Sequence, residues 1–372
     1  METTDKIKAT TNYNGRETFT VKGYGAENAE AKLKEMDIEH AKPAEDEVRI
    51  EVLYSGVCHS DVHQVRNDWD NTRYPCVPGH EIIGKVKEIG SGVTKFKEGD
   101  IVGVGCMIDS CQECTPCKNG EEQFCLGEHG PTMTYNGYFK DPESDFNTFG
   151  GYSEEIVSKE KFVLTIPETL DISKAAPILC AGITTYSPLK HWGVKKGDKV
   201  GVIGIGGLGH MGVMLAKAMG AEVTAITTTE SKRNDALEIG ADHVLISEND
   251  EEMNQNMLNF DLLLCTIPTA FDINPYIELL SPRGSIITVG LLGAYESPTN
   301  NMPVAMYARS VAGSIIGGIA ETQEVLDFCA EHQIHPEVEM IDMQDINKAF
   351  EKMNNENVRF RSVIDMQSFK NA

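Results

Sequence analysis

Four cysteines, Cys111, Cys114, Cys117 and Cys125, follow one another in the pattern C-x2-C-x2-C-x7-C. Thiolates this close in one short stretch can wrap a single ion, and four of them fill a tetrahedral shell with no position left for chemistry. Segment 106–126 is therefore expected to leave the regular elements and close on itself as a small lobe. Ten cysteines would also allow disulfides, but disulfide frameworks belong to small secreted chains, and this one has 372 residues. Metal ligation explains the spacing better.

A second set of soft ligands lies outside the lobe: Cys58, His80 with Glu81, and Cys180. Only folding could bring these together. Three protein ligands and one open position describe a working zinc rather than a structural one. Two thiolates reduce the charge of the metal yet leave it an adequate Lewis acid for a carbonyl. Glu81 fits as an exchangeable fourth ligand, and Asp61 as the acceptor that fixes the His80 ring. Each residue taken singly has an ordinary reading: a lone buried cysteine is a small hydrophobe, and a lone glutamate is a surface charge. Two zinc ions per chain are the expectation.

Downstream, Gly204-Ile205-Gly206-Gly207-Leu208-Gly209 follows a short apolar strand, Lys199–Ile203, and opens a helical stretch, 210–219. That context turns a weak glycine pattern into a dinucleotide-binding turn, in which the pyrophosphate meets a helix N-terminus. The second strand, Glu222–Thr227, ends in Thr227-Thr228-Thr229 with no acid where an NAD enzyme would hold the ribose 2′-hydroxyl. Hydroxyls with Lys232 and Arg233 favour a 2′-phosphate, hence NADP(H), provided Glu230 points away. The bland alternative is that Ser231 to Arg233 merely begin a solvated helix face.

Two domains follow from the length. Residues 1–177 read as short strands with glycine corners, as in Val48–Tyr54 and Ile82–Ile89. Within them, 127–150 reads as an irregular surface loop. Residues 178–316 alternate strand and helix, which means a doubly wound parallel sheet. Residues 317–372, with helices near 322–331 and 345–354 and a strand at Arg361–Asp365, are expected to return to the first domain.

The formal charge of −24 argues against nucleic acid or an anionic membrane as partner. The N-terminus lacks the apolar core of a signal peptide, and no run reaches membrane-spanning length. A reducing, cytoplasmic compartment is the expectation.

The motifs Cys58-His59-Ser60-Asp61, Gly79-His80-Glu81, the four-cysteine knot and the glycine turn occur in an order that resembles the zinc-dependent medium-chain alcohol dehydrogenases. The stretch from Ala175 to Gly182 and the ending Asn357-Val358-Arg359-Phe360-Arg361 resemble the cinnamyl-alcohol-dehydrogenase branch. The resemblance runs from about Phe19 to Met366. It implies a GroES-like β-rich catalytic domain, a Rossmann domain and a homodimer. It also implies NADP(H)-linked hydride transfer between primary alcohols and aldehydes. Carried over, Cys58, His80 and Cys180 hold the catalytic zinc with Glu81 as alternate ligand. The knot cysteines hold the structural zinc. Ser60 exchanges a proton with the substrate oxygen, and His63 continues that relay to solvent. Arg361 reaches the pyrophosphate, Gly204, Gly206, Gly207, Leu208 and Gly209 cradle it, and Thr227, Thr228, Thr229 and Lys232 take the 2′-phosphate.

Trp69 falls at a pocket-lining position, where it either stacks on an aromatic aldehyde or fills core. The segment Leu126–Pro131 lacks the aromatic residue that plant lignin enzymes carry after the last knot cysteine, which favours a broad aldehyde reductase. An NAD-linked zinc polyol dehydrogenase is the runner-up, against which the missing acid counts. A non-enzymatic nucleotide-binding protein is the third reading, against which the intact ligand set counts.

Overall fold

The computed structural model describes residues 7–8, 15–141, 143–290, 293–354 and 360–370. Packing divides the chain into two units, Met1–Cys180 with Gly317–Ala372, and Ala181–Ile316. The first break falls after Cys180 rather than after 177, so Cys180 shares a unit with Cys58 and His80. Residues 357–359 of the ending singled out above lie outside the described residues.

The first unit is built around the strand Glu47–Val57. Val48, Ile50 and Val52 are buried while their neighbours are only half covered, the period-two pattern of a strand with one face inward. It pairs antiparallel with Ile82–Ile89, Glu155–Lys159 and Arg361–Asp365. The sheet order is Leu164–Thr165, Ile101–Val104, Ile82–Ile89, Glu47–Val57, Arg361–Asp365, Val338–Asp342, with Glu155–Lys159 paired off this path. Its last two strands come from the end of the chain, as expected for the returning tail. Ser362 stands opposite Val57, which brings Arg361 to the strand end that carries Cys58.

Residues 127–150 are not a simple surface loop. Thr132–Met133 pairs with Met107–Asp109, and Thr134, Tyr135, Asn136, Asn147 and Phe149 are buried. Buried backbone carbonyls need donors, and Arg73 supplies them. Its Nε donates to Ser144 O at 2.8 Å, and its terminal nitrogens donate to the carbonyls of Asn136 and Asp141. One arginine therefore stands in for regular structure.

The second unit is a six-stranded sheet in which every strand pair is parallel. Its order is His243–Ile246, Glu222–Thr227, Lys199–Ile203, Phe260–Cys265, Leu280–Thr288, Ser310–Gly313. Val200, Val202, Leu263 and Leu264 are fully buried, as strands covered on both faces must be. The order reverses at Lys199–Ile203, the strand that delivers the glycine turn, which is the Rossmann arrangement. Among the described residues no helix is long and apolar enough to cross a membrane.

Candidate active site

The strand Glu47–Val57 runs directly into the helix His59–Val65, and Cys58 sits at the junction. The helix start is held by Asp61, whose Oδ2 accepts from Cys58 N at 2.9 Å. The same carboxylate accepts from Gly79 N at 3.0 Å, from the Tyr152 hydroxyl at 3.1 Å and from His80 Nδ1 at 3.0 Å. Asp61 is fully buried, and four donors satisfy its two oxygens. Its acceptor role puts the proton of His80 on Nδ1 and leaves the Nε2 lone pair free for a metal.

That Nε2 points at Cys180 Sγ, 3.1 Å away. One donor atom each from Cys58, His80, Glu81 and Cys180 lies within 4.8 Å of the others. Donors of a tetrahedral zinc stand about 3.3–3.8 Å apart, so modest contraction would close the shell. Burial alone would lower the His80 imidazole, but the Asp61 carboxylate overrides it and raises the group. The hydrogen bond with Cys180, helped by the Arg361 and His80 charges, holds the Cys58 thiol well below its ordinary range.

Burial pushes the Glu81 carboxyl up to about 7 against the pull of Arg361. Its Oε1 takes the Arg361 guanidinium, while Oε2 is buried without a partner among the described residues. A buried carboxylate oxygen without a donor is costly, and a cation would satisfy it. Gly56 makes room for the carboxylate: a Cβ there would stand 1.9 Å from Glu81 Oε2. Donor chemistry, burial and the orphaned oxygen together fit a zinc ion.

The knot cysteines also converge within 4.8 Å. Backbone N–H groups point at their sulfurs: Cys111 N and Gly127 N at Cys125 Sγ, both 3.4 Å, and Leu126 N at Cys114 Sγ, 3.3 Å. Donors aimed at sulfur favour thiolates, and the Cys114 thiol is lowered to about 6 by the Leu126 and Cys117 amides. The lobe is tied to the returning tail, since Glu122 accepts from Ile319 N at 3.0 Å at the start of the helix Ile319–His332.

Ser60 and His63 lie three residues apart on the His59–Val65 helix and so share a face. The Ser60 hydroxyl is 3.7 Å from Cys58 Sγ. His63 Nδ1 meets Asp68 Oδ2 at 2.7 Å, and its ring lies 5.6 Å from that of Trp69. Trp69 is half-buried against His63 rather than sunk in the core.

In the second unit the helix Gly207–Ala218 begins at the glycine turn with no side chain capping it. Gly204 has φ +86, and a Cβ on Gly209 would stand 1.9 Å from Gly204 O, so both positions require glycine. A Cβ on Gly206 would meet nothing within 4 Å. That open space above uncapped N–H groups fits a pyrophosphate. His210 turns inward, its Nδ1 2.8 Å from Gly207 O. Beyond the second strand Thr227 is buried, whereas Thr228 and Thr229 are exposed. Both Glu230 oxygens hold Arg233, at 2.5 and 2.9 Å. The Lys232 backbone N–H donates to Thr229 O at 3.3 Å, and its ammonium makes no hydrogen bond or ion pair among the described residues.

Residues 44–168 match the alcohol dehydrogenase GroES-like domain, and 207–331 match the zinc-binding dehydrogenase domain. The chain is 48% identical to aldehyde reductase YahK of Escherichia coli over 93% of its own length and 98% of that protein. The chain belongs to the zinc-binding alcohol dehydrogenase family. Among solved structures, a cinnamyl alcohol dehydrogenase of Sorghum bicolor, SbCAD4, matches with TM-score 0.89 and 38% identity, covering 94% of this chain and 98% of that one. The CAD of Helicobacter pylori complexed with NADP(H) matches with TM-score 0.87 and 41% identity, covering 94% and 99%.

Three further side chains crowd the catalytic ligand set. Arg361, expected at the pyrophosphate, is buried in an ion pair with Glu81. Cys106, left out of both ligand sets, donates its thiol to Leu179 O at 4.0 Å, and the neighbouring Cys180 thiol lowers it. Tyr135, in the stretch read as surface loop, packs its ring 5.6 Å from that of His80. No local spacing marks any of the three, because each contact joins distant segments.

Proposed function

We propose that this chain reduces aldehydes to primary alcohols, and reverses the reaction, with NADP(H) and a catalytic zinc ion. The observation that carries the reading is the buried convergence of Cys58, His80, Glu81 and Cys180 in one unit. Cys58, His80 and Cys180 would hold the catalytic ion, and Glu81 would stand in when substrate leaves. Cys111, Cys114, Cys117 and Cys125 would hold a second, structural ion. Bound zinc supplies Lewis-acid polarisation of the carbonyl, and bound NADPH supplies the hydride.

The chain's own residues do the rest. Ser60 gives its hydroxyl proton to the substrate oxygen as the alcohol forms. His63, hydrogen-bonded to Asp68, returns a proton from solvent along the same helix face. Asp61 keeps the His80 tautomer that leaves Nε2 free. Trp69, half-exposed beside His63, lines the substrate pocket and favours aromatic or other large apolar aldehydes.

NADP(H) rather than NAD(H) is supported by the missing acid after Glu222–Thr227, by the exposed Thr228 and Thr229, by the unengaged Lys232 and by the Helicobacter pylori complex. Arg361 would reach the pyrophosphate only by loosening its hold on Glu81. A cytoplasmic homodimer completes the reading. Ser310–Gly313 is the edge strand of its sheet, and Met302 and Met306 nearby are 68% and 71% exposed.

The test is a panel of aldehydes and alcohols assayed separately with NADPH and NADH, on wild type and Ser60→Ala. NADPH-linked reduction, lowered about 10²–10⁴-fold by Ser60→Ala with zinc content kept, is the expected result. Equal turnover by the variant would remove Ser60 from the relay, and faster rates with NADH would overturn the cofactor.

A further inference from the structure

Asp61 orients His80, but three other donors hold Asp61, and one of them comes from far along the chain. Cys58 N and Gly79 N are backbone groups of the site itself. The third is the hydroxyl of Tyr152, whose side chain is fully buried.

The segment 150–152 is laced to the turn that carries His80. Gly150 N donates to Val77 O at 2.8 Å, Gly151 N to Gly79 O at 2.8 Å, and Tyr152 N to Pro78 O at 3.0 Å. Three glycines make this approach possible. A Cβ on Gly150 would stand 2.2 Å from Gly79 O, one on Gly151 would stand 2.5 Å from Ile82, and one on Gly79 would stand 2.7 Å from the Tyr152 ring. Gly79 also has φ +101, so no other residue sits there without strain. Apolar packing alone does not select a tyrosine here, since Phe would bring the same ring. The hydroxyl is the part that only tyrosine brings, and it lands on the carboxylate that fixes the metal-binding imidazole.

We infer that Tyr152 is a positioning residue for the catalytic metal: its hydroxyl locks the Asp61 carboxylate, which in turn locks His80 Nε2 toward the ion. The inference rests on the zinc reading proposed above. Hydroxyl donation keeps Asp61 in the rotamer that accepts the Nδ1 proton, so its loss lets the imidazole rotate and loosens one of three ligands. Outer-shell partners of this kind are worth about 10–100-fold in metal affinity.

The experiment is chelator competition on the full-length zinc-loaded protein, resolving the two ions by their release. Tyr152→Phe is compared with Tyr152→p-methylphenylalanine, which fills the hydroxyl's volume without donating, and with Tyr152→p-aminophenylalanine, which restores a donor. The expected result is about 10-fold or greater weakening of one zinc in the first two variants. The knot zinc stays at wild-type affinity as the internal control for folding, and the amino variant recovers most of the loss. A purely structural tyrosine would lower thermal stability and weaken neither ion selectively. The inference is overturned if Tyr152→Phe or the methyl variant, with knot zinc retained, binds the other ion within twofold of wild type, or if the amino variant is as weak as Phe. Should Tyr152→Phe fail to fold, the methyl and amino variants, which leave no cavity, decide the question between them. A wild-type protein that holds only the knot zinc would instead sink the zinc reading itself.

Discussion

Glu81 and Arg361 lie 280 residues apart in sequence and form a buried ion pair, with side-chain exposures of 0% and 3%. The contact welds the last strand of the chain to the turn that carries His80. It also holds a carboxylate beside the ligand set, with one oxygen committed to the arginine and the other free for a cation.

Arg361→Met removes one partner and strands the other. An uncompensated buried charge costs about 3–5 kcal/mol, so urea denaturation should show a loss of that order. The double variant Glu81→Gln with Arg361→Met should recover at least half of it, because neither side then buries a charge. A double variant less stable than Arg361→Met alone would mean that the pair is not the source of the loss.

His40 gives the fold an acid sensitivity of its own. Its ring stacks on Phe19 and meets Phe149 edge-on, and its Nε2 is buried without a partner among the described residues. Burial lowers its pKa to about 4, against a weaker upward pull from Glu155. The unfolded chain therefore takes up the proton first. The stability of the neutral ring is complete above about 6.5 and is lost as pH falls toward 4, by about 3 kcal/mol at most. Urea midpoints measured at pH 7.5 and pH 4.5 should fall less in His40→Phe than in wild type. Equal falls would remove His40 from the account.

Among the described residues the Lys232 ammonium has no ion-pair partner, whereas Glu230 occupies Arg233, which leaves the lysine available to the proposed 2′-phosphate. Lys232→Ala should lower kcat/KM for NADPH about 10-fold, the value of one charge-assisted contact, and leave NADH unchanged. An equal loss with both cofactors would mean that the lysine supports the turn rather than the phosphate. Glu230→Gln, which loosens Arg233, should shift preference further toward NADPH.

Legibility in the sequence followed the range of the interactions. Lys199–Ile203, Glu222–Thr227, His243–Ile246, Ile82–Ile89 and Arg361–Asp365 stand where apolar runs and glycine turns place them, because those signals are local. The glycine turn is itself the first turn of its helix, so the element begins at Gly207, before the apolar stretch that announced it. Asn274–Leu279 and Asn301–Met306 are six residues each, too short to display a helical period. Cys111 to Cys125 announce themselves by spacing alone. Cys58, His80 and Cys180 carry no such spacing; their donor chemistry makes them candidates, and only the folded chain brings them together. Arg361 on Glu81, Cys106 on Cys180 and Tyr152 on Asp61 are long-range contacts with no periodic trace.

The central claim is that two separate ions serve this chain and that only one does chemistry. The most direct test is zinc per chain together with NADPH-linked aldehyde reduction, in wild type, Cys180→Ser and Cys117→Ser. The account predicts two zincs and activity in wild type. Cys180→Ser should stay folded with the knot zinc only, reducing no aldehyde. Cys117→Ser should lose the knot zinc and stability, while its surviving folded molecules still turn over. A wild type with one zinc, or a Cys180→Ser protein that keeps two and reduces aldehyde at the full rate, would contradict it.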